Sequence, residues 1–514
     1  MRATQIQYRL FYMLRSKYRK VTKHSYDLSK KSSSISLTLE KSIYSYESFS
    51  DGDFSFLNLE HSFKDEIDWN FLEHGKLWAY NLNYFEYLNQ KDFEVDDGKK
   101  IIYDFIDNIF ANRQGLEPFP NSLRGINWIK FLSFSGLVDK KIDDSLYAQY
   151  YVLLDTLEYH ILGNHLLENG FSLLFGAYYF QDEVLFKKAK KILIGELTEE
   201  ILDDGSHYEL SPMYHQLMLF RILDCINLVK NNNHLKDEKL NNMLKEKAEI
   251  MLSWIGQFSY KDGTVAHFND SSEGIAPTTK ELFEYAKRLG LDVSKKISLK
   301  ECGYRIYDND NYELRVDVGE IGPSYIPGHA HSDTFNFELR VGGKPFIVDT
   351  GISTYNSNQR RLIERQTASH NTVMIDNIEQ SGVWSSFRVA DRAHIKSLEE
   401  GEDFVYASHD GYKKLGIIHK RKFTVSDKNI KIEDFLENNT KHEAVSYIHF
   451  HPSIEDIKIE EDKIVTKDVI FYIKGSKKIQ LDDFTFAKCF NKYDKAKLLK
   501  VTFDGDMSVD IAII

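Results

Sequence analysis

The chain has 514 residues, too long for one ordinary core, so two or three domains are expected. Hydrophobic residues at 42% and charged residues at 28% fit a globular protein, and 8 Pro with 28 Gly leave no long linker or low-complexity tract. A net charge of −12 argues against a nucleic-acid-binding surface, and the scattered Cys225, Cys302 and Cys489 offer neither a disulfide framework nor a Cys-x-x-Cys metal motif.

Residues 1–60 are read as an N-terminal extension. The apolar run from Leu10 to Leu14 is too short for a signal peptide and Arg15 interrupts it. No stretch reaches the roughly 20 apolar residues of a membrane span. The expectation is a cytoplasmic protein without a transmembrane segment, with a periplasmic location as the alternative. The first residues read as a surface helix, or as a basic amphipathic segment that touches a membrane or a partner.

Residues 61–300 are expected to form the helical domain. Ile101, Ile102, Phe105, Ile106, Ile109 and Phe110 recur at three-to-four spacing, as do Leu217, Phe220, Leu223 and Ile226. A polar cluster, Gly163-Asn164-His165-Leu166-Leu167-Glu168-Asn169-Gly170, interrupts this pattern. Asp204-Gly205-Ser206-His207-Tyr208-Glu209 reads as a turn that starts a helix. In Ser211-Pro212-Met213-Tyr214, the serine can cap a helix whose first position is the proline, which puts Tyr214 in the first turn. The plain alternative for each tyrosine is packing, since the chain has 30. The stretch 265–300 is mixed and is expected to carry the crossing into the next domain.

Residues 301–514 are expected to form an antiparallel β-sandwich. Tyr312, Leu314, Val316 and Val318 alternate with polar neighbours, and so do Phe335, Phe337, Leu339 and Val341 before the turn Gly342-Gly343. Segments 422–425, 430–432 and 469–473 are short, β-branched and bounded by turn signals.

Ahead of the second of these strands stands Gly328-His329-Ala330-His331-Ser332-Asp333. In an extended segment, side chains at i and i+2 point to one side, so both imidazoles are expected to face one space. Asp349 and His370 also sit at predicted strand edges. Two imidazoles and a carboxylate make a common zinc set, and they equally suit ordinary hydrogen-bonded edge residues.

Several motifs together resemble the heparinase II/III-like family of polysaccharide lyases. They are His329-Ala330-His331-Ser332-Asp333, the run Gly342 to Asp349, Ser369-His370-Asn371-Thr372-Val373, Gln380-Ser381 and Phe387-Arg388. Glu117-Pro118-Phe119-Pro120-Asn121-Ser122, Asn164-His165, and the run Asp204 to Glu209 with Tyr214 add to them, so the likeness spans roughly residues 70 to 395. The resemblance implies an (α/α) toroid followed by an antiparallel β-sandwich, and β-elimination on a uronate-containing acidic poly- or oligosaccharide, with a role in capsule or O-antigen metabolism as one setting. It implies catalytic roles for Asn164, His165, Tyr214 and His329, with Tyr208 as the alternative base. It implies a metal, zinc, held by His331, Asp349 and His370.

Arg360 and Arg388 are the substrate-binding candidates, with Arg361, Arg365 and Lys130 as further sources of a basic cleft. Two other readings compete. A glycoside hydrolase on a similar toroid needs a carboxylate pair, and Glu168, Asp204 and Glu209 form no recognisable one. A non-catalytic glycan-binding or biosynthetic scaffold would not require Asn164, Tyr214 and His329 together. Oligomeric state is not legible.

Overall fold

The computed structural model describes all residues except 29, 32, 65, 293–296, 439 and 440. The chain forms two compact units that do not part at a single point. A helical unit comprises residues 1–201, 216–253 and 280–295, and a β unit comprises 202–215, 254–279 and 296–514. This differs from the division expected from sequence in two ways. Residues 1–60 lie within the helical unit, and 202–215, 254–279 and the last residues of 61–300 lie in the β unit.

The helices run as α1 (Ala3–Thr22), α2 (Lys76–Tyr84), α3 (Val95–Asn108), α4 (Pro118–Ser135), α5 (Lys140–Thr156), α6 (Asn164–Phe180), α7 (Glu183–Glu200), α8 (Pro212–Asn231), α9 (Glu238–Phe258) and α10 (Thr279–Leu289). Helix α6 is apolar on nearly every side and buries all of its residues but His165. Such a helix belongs at the centre of a bundle. Close approach is needed there: a Cβ on Gly176 would lie 2.7 Å from the Tyr150 ring. Trp69 stacks on Phe85, and Phe85 and Phe105 meet Trp128 edge-on, which fills the core around α4.

The segment before α2 is tied to this unit rather than extended from it. Glu40 N and Thr38 N donate to the side chains of Asn227 and Asn232, and Ser42 donates to Asp224 at 2.7 Å. Lys130 joins the same carboxylate at 2.8 Å, with both charges buried. Its expected place in a basic cleft is therefore corrected: it is a core ion pair, further bonded to Ser42.

In the β unit, Tyr304–Asp308, Tyr312–Asp317, Phe337–Val341 and Lys344–Ile347 make an antiparallel sheet in that order. A second sheet orders Lys478–Cys489, Lys492–Phe503, Ala444–His449 and Val373–Ile375. A third, eight-stranded, runs Ile395–Glu400, Phe404–His409, Ile418–Val425, Asn429–Glu437, Met507–Ile513, Val469–Lys474, Lys463–Val465 and Lys458–Glu460. Leu314, Val316, Phe337 and Leu339 share one apolar core with Phe423, Ile432, Ile448, Val501 and Ile511.

The alternation read at 312–318 suggests a solvated polar face, yet every residue of Tyr312–Asp317 is buried. Segment 254–279 covers that face and satisfies it. Arg315 donates to the carbonyls of Phe258 and Ser259, and Glu338 accepts from the Tyr260 hydroxyl and the His267 amide.

Candidate functional site

The site in the β unit is organised by a carboxylate that no sequence pattern singled out. Asp270 Oδ2 accepts from His329 Nδ1 at 2.8 Å, and Oδ1 accepts from His331 Nε2 at 2.8 Å. Arg361, on the short helix α11 (Gln359–Arg365), donates to both oxygens at 2.5 and 2.7 Å. Burial alone would raise the Asp270 carboxyl, but Arg361 and the two imidazoles hold it well below the usual carboxylate range. Asp270 is therefore an anion that only accepts, so each ring nitrogen facing it carries the proton.

Segment 328–333 is not the strand edge expected from the i, i+2 spacing. It is irregular, and regular pairing begins only at Phe337. The two imidazoles converge because the backbone is held: Asp270 N donates to His329 O at 3.1 Å, and His331 N donates to the Asn269 side chain at 3.1 Å.

Tyr214 lies directly against His329, with ring centroids 4.0 Å apart. Its position follows from the helix start. Ser211 Oγ accepts from Tyr214 N at 3.2 Å and itself donates to the Asp270 carbonyl at 2.7 Å, so the cap of α8 is fastened to the residue that orients His329. The Tyr214 hydroxyl is 3.3 Å from the Tyr355 hydroxyl. Tyr214 is half-buried, and burial pushes its hydroxyl far above the usual tyrosine value. Tyr214 keeps its proton at neutral pH. Tyr208 instead meets the Tyr325 hydroxyl, at 3.3 Å.

Behind this group, His331 is fully buried, and burial pushes its pKa down to about 3 although Asp270 opposes this. His370 Nδ1 bonds Asp349 Oδ2 at 2.7 Å, and the two histidine rings lie 5.3 Å apart. His331 Nδ1, His370 Nε2 and Asp333 Oδ2 are buried without a hydrogen-bond partner. Asp349 has no such freedom: Oδ2 also accepts from Asn336, and Oδ1 accepts from Gly351 N. Among the described residues, no three His, Cys, Asp or Glu side chains stand in an arrangement ready for a metal ion.

The arginine candidates divide. Arg360 is held by Glu364 at 2.7 Å and by the Thr485 carbonyl, with its guanidinium over the Tyr493 ring. Arg388 is exposed, next to Phe387, whose ring faces His329. Arg361 is the one that enters the constellation.

Asn164 and His165 belong to the helical unit. Asn164 is buried at the first position of α6, after Gly163 with φ of 62°. His165 Nδ1 bonds Glu158 at 2.8 Å, its ring packs on Phe119, and Glu158 also accepts from Asn169. Of the carboxylate candidates for hydrolysis, Glu168 is committed to Arg221, and Asp204 to Ser206 and the Cys302 amide, whereas buried Glu209 stands at the site, with Oε2 3.7 Å from His329 Nε2.

Sequence reasoning missed Asp270, Tyr355 and the role of Arg361. The signal for Asp270 was the run Asn269-Asp270-Ser271-Ser272, four polar residues that follow Phe268 and are all buried.

Residues 146–289 match the heparinase II/III N-terminus model, and residues 292–508 match the heparinase II/III-like C-terminal model. A heparin-sulfate lyase of Bacteroides stercoris is 25% identical over 252 residues, 43% of this chain and 36% of that protein. One from Pedobacter heparinus is 24% identical over 324 residues, 55% of this chain and 46% of that protein. The matches thus span between about a third and a half of these relatives' length. A heparinase III crystal structure superposes with a TM-score of 0.64 at 16% identity, over 91% of this chain and 80% of that one. Heparan sulfate lyase HepC from Pedobacter heparinus gives 0.56 at 14% identity, over 90% and 81%. The fold is an (α/α) toroid followed by an antiparallel β-sandwich.

Proposed function

The chain belongs to the heparinase II/III-like family, and from that premise we propose that it is a polysaccharide lyase that cleaves a uronate-containing acidic glycan by β-elimination. The observation that carries the reading is the packing of Tyr214 on His329 while Asp270 fixes the other side of the imidazole.

With Nδ1–H committed to Asp270, His329 offers the Nε2 lone pair as a base. It takes the proton from the carbon bearing the uronate carboxylate. The electron pair left behind forms the carbon–carbon double bond as the glycosidic carbon–oxygen bond breaks. Tyr214, which holds its proton, donates it to the departing oxygen. The proton on carbon becomes acidic enough only when the uronate charge is neutralised, and the Asn164 amide is assigned that role, with His165 beside it in sequence. Asp270, with both oxygens committed, is not free to act as the general acid of a hydrolase.

His331 and His370 are the proposed zinc ligands, through Nδ1 and Nε2. The unpartnered Asp333 is a better third donor than Asp349, whose hydrogen bond instead turns the His370 ring. When bound, the ion would supply a fixed positive charge that holds these side chains in place.

The test is incubation with heparan sulfate, chondroitin sulfate and other uronate polysaccharides, following the ultraviolet absorbance of the unsaturated uronate. Tyr214→Phe and His329→Ala should each abolish it with the fold intact. New reducing ends without that absorbance would mean hydrolysis, and full activity in both variants would refute the site.

A further inference from the structure

Helix α1 is docked with its polar side inward. Of its residues only Gln5 is buried. Gln5 donates to the Ile161 carbonyl at 2.9 Å, Tyr12 to the Leu157 carbonyl, and Arg19 to Asp155 at 2.6 and 2.9 Å, while Tyr8 stacks on Tyr159. The outer side carries Ile6, Leu10, Met13, Leu14 and Val21, at the spacing of one helix face. All are exposed, Leu10 by 53%, Leu14 by 62% and Val21 by 84%. A helix docked for stability alone would turn this stripe inward.

The charge on the segment is as one-sided as its apolar stripe. Arg2, Arg9, Arg15, Lys17, Arg19, Lys20 and Lys23 fall within the first 23 residues with no acidic residue among them, in a chain of net charge −12. Arg2, Arg15 and Arg19 are spent on Glu199 and Asp155. Lys17, Lys20 and Lys23 are exposed, and Lys20 and Lys23 line a cleft of about 500 Å³ with Arg15 and Arg19. Among the described residues no helix is long and apolar enough to cross a membrane, so α1 could lie on a bilayer but not span it.

We propose that α1 seats this protein on an anionic lipid surface. Ile6, Leu10, Leu14 and Val21 enter the interfacial layer, and Lys17, Lys20 and Lys23 lie against headgroup phosphates. Charge complementarity selects this occupant over a second copy, whose α1 would bring the same cations against the first.

Flotation of the full chain with vesicles tests it. The protein should float with phosphatidylglycerol–phosphatidylcholine vesicles, stay behind with phosphatidylcholine alone, and be released by salt. Leu10→Glu with Leu14→Glu should abolish flotation at unchanged helicity and thermal midpoint. Each of Lys17→Gln and Lys20→Gln should weaken it about fivefold, the fold-change for one surface cation. No flotation at low salt, or flotation indifferent to these variants, overturns the proposal. So does a dimer that the leucine variant splits in the absence of any vesicle binding, because a second copy would then cover the stripe.

Discussion

His329 donates through Nδ1 to Asp270 at 2.8 Å, and that carboxylate is neutralised by both arms of Arg361. The arrangement sets the tautomer of His329 and leaves Nε2 as its basic nitrogen.

Replacing Asp270 by Asn should therefore cost catalysis more than binding. An amide can present its NH₂ to His329 and turn the imidazole to the wrong tautomer, so kcat should fall by about a hundredfold to ten-thousandfold with KM little changed. The variant also leaves Arg361 buried without its counter-charge, which costs about 3 to 5 kcal/mol of stability. Steady-state kinetics beside urea unfolding separate the two effects. A stable variant with more than a tenth of wild-type kcat would rule out Asp270 as the orienting group.

Tyr355→Phe removes the oxygen that meets the Tyr214 hydroxyl at 3.3 Å. The aromatic body, packed against Phe387 and Phe490, stays. One lost hydrogen bond corresponds to about 1 kcal/mol, so a fall in kcat of about fivefold is expected, with an unchanged melting transition. An unaltered kcat would show that Tyr355 does not position Tyr214.

The α-then-β order and the serine cap at 211 were legible because each rests on a local rule, whereas Tyr214 and His329, far apart in sequence, were singled out together only through the family resemblance. Asp270 was not legible, because its partners His329, His331 and Arg361 are 59 to 91 residues away and nothing periodic links them. Lys130 misled for the opposite reason. A lysine in sequence looks like a surface charge, and only the fold reveals Asp224 and Ser42 beside it. The strand reading of 328–333 failed because side-chain and backbone bonds to 269–270 determine that loop's path, not sheet pairing.

Lys130→Met should lower stability by about 3 to 5 kcal/mol, since Asp224 remains buried with only the hydroxyls of Ser42 and Tyr285 to bond. Chemical unfolding of the variant measures it. A change below about 1 kcal/mol would place Lys130 among ordinary surface charges.

The proposed metal set makes a stoichiometric claim. Protein loaded with zinc and then dialysed should retain about one ion per chain by elemental analysis, with three protein donors and one position left to water. His331→Ala and His370→Ala should lose it. Asp333→Asn should lose more zinc than Asp349→Asn, because Asp333 holds the unpartnered oxygen and Asp349 is already hydrogen-bonded at both. Wild-type protein that retains no zinc removes the metal from the site, and the reverse ranking of the two aspartates restores Asp349 as the ligand.

Glu196 on α7 gives the helical unit a pH dependence of known sign. Burial raises its carboxyl from 4.5 to about 7, and Glu199 adds to the shift, against weaker opposition from a hydrogen bond with Glu200 and then from Arg2 and the Gly163 amide. The folded protein therefore holds a proton here that the unfolded chain releases between about pH 4.5 and pH 7, so stability falls as pH rises through that window and is level above it. Partial exposure limits the effect to about 1 to 2 kcal/mol. Glu196→Gln mimics the protonated form, so it should match wild type near pH 5 and exceed it by that amount near pH 8. Urea unfolding at both values reads the difference. Since Gly163 immediately precedes Asn164, the same titration reaches the backbone that presents the Asn164 amide. A stability gain that is identical at the two pH values would mean that Glu196 is ionised throughout and that its burial is compensated by its neighbours.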